Sequence, residues 1–146
     1  MNHSFGLVGS TNGVFTWRIL DARTSTNSAP SGSSAGLANP KDNIWPLPQK
    51  AVVAVYSTAG SATMTATIKL WGYLTDAAQW FPLGIGADAL KGVMNGGAAI
   101  GETGTNVLQH AEIVEGLFSF DRIYAEVVAI GGTSTAVTVD VRIGPA

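Results

Sequence analysis

Ala62-Thr63-Met64-Thr65-Ala66-Thr67-Ile68-Lys69-Leu70-Trp71-Gly72-Tyr73-Leu74 alternates with a period of two. Ala62, Met64, Ala66, Ile68, Leu70 and Leu74 fall on one side, and Thr63, Thr65, Thr67, Lys69, Trp71 and Tyr73 on the other. That is the spacing of a strand with one apolar face and one mixed face. Outward from it, residues 14–20, 50–57, 79–83, 110–117, 120–130 and 135–143 form further runs rich in β-branched and aromatic residues, for a total of about seven strands. Helical spacing is poor, because apolar residues rarely recur three and four apart and glycine interrupts nearly every window. Strands without intervening helices predict an all-β domain spanning residues 1–146. Its expected architecture is two packed antiparallel sheets, as a β-sandwich of jelly-roll type or a partly closed barrel.

Two hairpins are expected. Residues 70–83 turn at Thr75-Asp76-Ala77-Ala78, which sets Tyr73 opposite Trp80. Pro82 has no N–H to give a ladder, so the returning strand belongs at a sheet edge. The last two strands are expected to pair across Gly131-Gly132, with Ile123, Ala125, Val127 and Ala129 sharing an inward side with Val137, Val139, Val141 and Ile143. A three-residue loop keeps both apolar faces together and puts Glu126 opposite Thr138 rather than Asp140, avoiding like charges. Residues 21–48 carry Ser, Gly, Asn and Pro with few apolar residues before Ile44-Trp45, which predicts a long irregular N-terminal arm or insertion. Residues 85–106 read as a glycine-rich loop with a short helical turn at 89–94.

Composition narrows the function. Charged residues make up 12% of the chain, about half the share usual in a soluble domain. Depletion of charge marks the cores of subunit interfaces, so an oligomer or larger assembly is expected. The net charge is −2 and the eight Lys and Arg residues are scattered singly, which argues against nucleic acid as a partner. No cysteine is present, which removes disulfides and thiol catalysis. Met1 to Phe5 has neither a basic start nor an apolar run, and no stretch reaches membrane-spanning length, so synthesis in the cytosol without membrane association is expected.

A search for chemistry finds little. His110 shares a strand face with Glu112, but no Gly-x-Ser-x-Gly elbow accompanies them, and His3 stands at the N-terminus. Glu112 and Glu115 are three apart on a strand and point to opposite faces, the wrong arrangement for an acid–base pair. Acidic residues form no calcium loop, and Gly96 to Gly104 lacks the Gly-Lys-Ser/Thr of a phosphate loop. No catalytic residue, metal or cofactor is therefore expected. What stands out is the aromatic group Trp71, Tyr73 and Trp80, followed by Phe81. Such rings either pack under the chain's own arm, seat a neighbouring subunit, or stack on sugars.

Residues 66–143 resemble small virion proteins of tailed bacteriophages, in particular head decoration or cement proteins. The resemblance is carried by Ile68-Lys69-Leu70-Trp71-Gly72-Tyr73 followed by Gln79-Trp80-Phe81-Pro82-Leu83-Gly84, and by Phe120-Asp121-Arg122-Ile123-Tyr124-Ala125-Glu126-Val127-Val128-Ala129-Ile130 before a glycine turn. It covers the C-terminal half and leaves residues 21–48 aside. It implies a non-enzymatic protein that joins an assembled capsid as a trimer or other symmetric homo-oligomer. Such a protein binds the major capsid protein or other virion subunits, and resides on the capsid surface after synthesis in the host cytoplasm. In that setting residues 21–48 lie across capsomer seams with Trp45 as an anchor, and Trp71, Tyr73, Trp80 and Phe81 are the further interface candidates. A phage tail or fibre component shares these features, and a carbohydrate-binding β-sandwich module is the alternative.

Overall fold

The computed structural model describes residues 6–11, 14–33, 35–38, 50–57, 60–83, 91–104, 106–133 and 135–143. Ten strands run along them in chain order: β1 (Gly6–Thr11), β2 (Val14–Arg23), β3 (Leu37–Ala38), β4 (Lys50–Tyr56), β5 (Thr65–Leu74), β6 (Gln79–Pro82), β7 (Ile100–Gly101), β8 (Gln109–Glu115), β9 (Arg122–Gly131) and β10 (Val137–Ile143). They form two antiparallel sheets. One has the order β1-β2-β10-β4-β8, and the other β3-β9-β5-β6 with β7 beside the head of β5. Ile19, Val53, Val55, Val139 and Val141 from the first sheet share one core with Ile68, Leu70, Ile123, Ala125 and Val127 from the second. The β-sandwich expected from the alternation is thus present, and all seven predicted strands appear close to their predicted bounds.

The quoted stretch forms the centre of the second sheet, with Ala66, Ile68 and Leu70 buried and Thr65, Thr67, Lys69 and Trp71 half-buried on the other side. Its first residues differ from the expectation. Met64 N–H donates to Ser61 O, so residues 61–64 are a turn and Ala62 is exposed. The β5–β6 hairpin has the predicted four-residue loop, Tyr73 pairs with Trp80, and β6 ends the sheet. Beyond β6, the glycine-rich segment continues along β5 instead of looping free. Leu70 N–H donates to Gly92 O (2.8 Å), Met94 N–H donates to Ile68 O (2.9 Å), and β7 pairs with Thr65 and Ala66. In place of the predicted helical turn at 89–94, a turn at Lys91-Gly92 leads to Val93 bridging Lys69 and a 3-10 turn at Asn95–Gly97; residues 84–90 lie outside the described residues.

The expected hairpin of the last two strands does not form. β9 pairs with β5 and β3, whereas β10 pairs with β2 and β4 in the opposite sheet. Glu126 accordingly faces Lys69, not Thr138. Two strands with apolar inner faces meet equally well side by side in a sheet or face to face across a core, and this chain turns the corner to do the second. Gly132 makes the corner at φ +86°, where a Cβ would lie 2.5 Å from the Met64 Cα. A bulge adds a further change. Thr67 pairs with Ala129 and Ile68 with Val127, so Val128 is the extra residue. The phase flips there: Ala129, expected inside, is exposed, and Ile130 packs against the core.

Of the predicted arm, residues 21–23 instead continue β2 beside β10, while Asn27 and β3 lie along β9. Asn27 N–H donates to Val127 O (3.4 Å), Val127 N–H donates to Asn27 Oδ1 (2.6 Å), and Asn27 Nδ2 donates to Ala125 O (3.3 Å). One side-chain amide thus replaces a strand over Ala125 and Val127, and β3 takes over at Ile123 and Arg122. Residues 39–49, with Trp45, lie outside the described residues.

Candidate functional site

On the outer face of the second sheet the aromatic group is engaged by its own chain. Tyr73 is buried, and its ring lies 5.1 Å from that of Trp80, which in turn meets Tyr124 edge-on at 5.9 Å. Trp80 Nε1 donates to Gly32 O (2.8 Å), while Tyr124 O–H donates to Ser28 O (2.8 Å). Burial, and then the Glu126 carboxylate, raise the Tyr124 pKa. Trp71 donates from Nε1 to Glu126 Oε1 (3.0 Å), with Lys69 Nζ over its ring at 4.3 Å. Phe81 is half-buried on β6. The structure therefore brings Trp71, Tyr73 and Trp80 to one sheet face, as their spacing predicts, and places Asn27, Ser28 and Gly32 against that face beside Tyr124 and Trp80.

The outer face of the first sheet is different. Across β2, β10 and β4, Arg18 Nε donates to Asp140 Oδ1 (2.9 Å), Arg18 Nη2 donates to Tyr56 Oη (3.0 Å), and Tyr56 O–H donates to Asp140 Oδ2 (2.7 Å). Asp140 is only 5% exposed although it points away from the core. Its position opposite the small Ala54 lets the longer Tyr56 reach it from the neighbouring strand. The hydrogen bond to Asp140 holds the Arg18 guanidinium charged well above its ordinary pKa. Burial, then the bond to Asp140, push the Tyr56 phenol upward.

Next to this polar cluster the face turns apolar. Cross-strand pairs of β4 and β8 present Lys50 with Glu115, Val52 with Ile113, Ala54 with Ala111, and Tyr56 with Gln109. Lys50 and Glu115 close the row as an exposed ion pair at 3.4 Å. Ile113 is 66% exposed and Val52 38%, and with Val128 they are the exposed large hydrophobics among the described residues. Around the rim of Ile113 runs a cleft of about 500 Å3 lined by Leu83, Val114, Glu115, Ser119 and Phe120. Sequence reasoning missed this strip, since residues 50–56 are apolar on both faces and no local signal says which face is covered.

His110 and Glu112 share a face of β8 as expected, with His110 Nε2 2.8 Å from Glu112 Oε2. The same carboxylate oxygen accepts Asn95 N–H at 2.6 Å, so the pair ties the edge of the first sheet to the loop beside the second. Glu115 lies on the opposite face, paired with Lys50. In the glycine-rich loop, Glu102 Oε2 accepts the N–H groups of Gly104 and Asn106, so the loop's own carboxylate occupies its donors. Among the described residues no group of three His, Cys, Asp or Glu side chains is placed to hold a metal ion. A scan against protein-family models found no match, and neither did searches of curated proteins and of solved structures.

Proposed function

We propose that this chain is a non-enzymatic virion structural subunit, a bacteriophage capsid decoration or cement protein that stabilises the head by binding across capsomer contacts. The observation that carries this reading is the outer face of β4 and β8, where Val52 and Ile113 stand exposed between the Arg18–Asp140–Tyr56 cluster and the Lys50–Glu115 ion pair. Exposed branched side chains on a sheet suit a protein partner, because burying them costs little side-chain entropy. The strand order β2-β10-β4-β8 facing β3-β9-β5-β6 supports a jelly roll, an architecture of capsid and lectin domains. Architecture alone does not choose between these. The sugar-binding alternative needs an open ring platform, and Tyr73 is buried while Trp80 is occupied by Tyr73, Tyr124 and Gly32.

In this role the partner is the major capsid protein or another virion subunit, reached as a symmetric homo-oligomer on the capsid surface. Binding only the assembled shell stabilises that shell by mass action. The test mixes purified protein with expanded empty phage heads that lack it, reading co-sedimentation and the temperature at which the heads open. Saturable binding with a raised opening temperature supports the proposal, particularly if Val52→Ser with Ile113→Ser weakens it. Failure to bind heads, together with a positive glycan array, refutes it in favour of the sugar-binding module.

A further inference from the structure

The open edge of β8 is a surface that the preceding reading leaves unused. Ser57 N–H donates to Leu108 O (3.2 Å), in the register that continues as Val55 with His110, Val53 with Glu112 and Ala51 with Val114. Alternate residues of an antiparallel strand direct their N–H and C=O to opposite sides. Residues 108, 110, 112 and 114 therefore bond to β4, while Gln109, Ala111, Ile113 and Glu115 direct theirs outward. The bridge between Glu102 and Leu108 occupies that outward side at the head of the strand. From Ala111 to Glu115 no described residue pairs with it. Natural edge strands are commonly blunted by proline, by free charges or by a covering segment. Here no proline is present, Glu112 is bound to His110 and Asn95 N–H, and Glu115 is bound to Lys50. The outward side chain at the centre is Ile113, the most exposed large hydrophobic of the described residues.

We infer that a second copy of this chain pairs with this edge, β8 against β8, about a two-fold axis at Ile113. An isologous contact must pair each residue with its symmetry mate, so the candidate registers can be compared by charge. Centring on Ala111 requires Gln109, whose side of the strand already holds the Glu102 bridge. Centring on Glu112 sets two carboxylates directly opposite, which is unfavourable. Centring on Ile113 sets Ala111 opposite Glu115 of the second copy and Glu112 opposite its Val114, with no like charges facing. On the outer face Val52 and Ile113 of each copy then form one continuous apolar row, and two five-stranded sheets become one. Such a contact closes on itself, so the smallest assembly is a dimer and not the trimer that the resemblance implies.

The inference stands on sheet geometry and not on the virion reading. Its test is the mass of the full chain by light scattering over a dilution series, with Ile113→Lys and Ile113→Cys variants. The wild type should be a dimer that dissociates on dilution, and Ile113→Lys should be monomeric with the thermal midpoint of the dilute, dissociated wild type. In the proposed register the two Cα atoms at 113 lie about 5.5 Å apart, within disulfide range. Ile113→Cys should therefore form an intermolecular disulfide on mild oxidation, and Val128→Cys, exposed on the other sheet, should not. A wild-type monomer at all concentrations overturns the inference even if it binds heads, as does an oligomer that Ile113→Lys leaves intact. A dimer that fails to bind heads upholds it and counts only against the decoration role.

Discussion

Replacing Asn27 with alanine measures how much a single amide contributes when it stands in for a strand. The substitution keeps the bond from Asn27 N–H to Val127 O, and removes the bonds of its carboxamide to Val127 N–H (2.6 Å), Ala125 O (3.3 Å) and Tyr124 Oη (3.1 Å). Each net hydrogen bond is worth about 1 kcal/mol, and a donor left dry costs about 1–3 kcal/mol more. Asn27 is half-buried, so water reaches part of the vacated edge. The expected loss is about 2–3 kcal/mol, read from urea unfolding by linear extrapolation with the slope unchanged. Exchange of the Val127 amide should accelerate about 30- to 150-fold, the same free energy expressed as a local opening equilibrium. A loss under about 0.5 kcal/mol with Val127 exchange unchanged would refute the view that Asn27 completes the second sheet beside β9.

Three further outcomes follow from the packing. Asp140→Ala strips the shared acceptor from Arg18 and Tyr56, leaving Asp21 at 3.7 Å as the guanidinium's remaining carboxylate, and should cost about 2 kcal/mol in denaturant unfolding. Tyr56 has a folded pKa above its unfolded value of about 10, so its contribution is full below that pH and is lost as pH rises toward the folded value. Tyr56→Phe should lower stability by about 1 kcal/mol at neutral pH and flatten the decline above pH about 10, measured as unfolding free energy against pH. Gly132→Ala places a Cβ against the Met64 backbone at φ +86° and should cost about 2–4 kcal/mol, visible in calorimetry as a fall of several degrees.

The alternation at residues 65–74 was enough to determine β5, its apolar face and its hairpin with β6, because period two and a proline at the returning strand are local facts. Composition likewise pointed away from phosphate and thiol chemistry without reference to any fold. Partner choice was a different matter. β9 and β10 each carry a plain apolar face, and nothing in either strand distinguishes a neighbour in the same sheet from one across the core. The φ of Gly132 and the space beside Met64 settled that, together with the bulge at Val128 that exchanged Ala129 for Ile130. The same holds for the candidate surface. Trp71, Tyr73 and Trp80 were conspicuous in the sequence, yet Asn27, Ser28 and Gly32, from far along the chain, take up Trp80 and Tyr124. Ile113 was one of many branched residues until its place on an edge strand left it in water. Local periodicity depends on neighbours along the chain, so sequence alone determined strands and faces. Pairing and exposure depend on neighbours in space, and only the tertiary structure decided those.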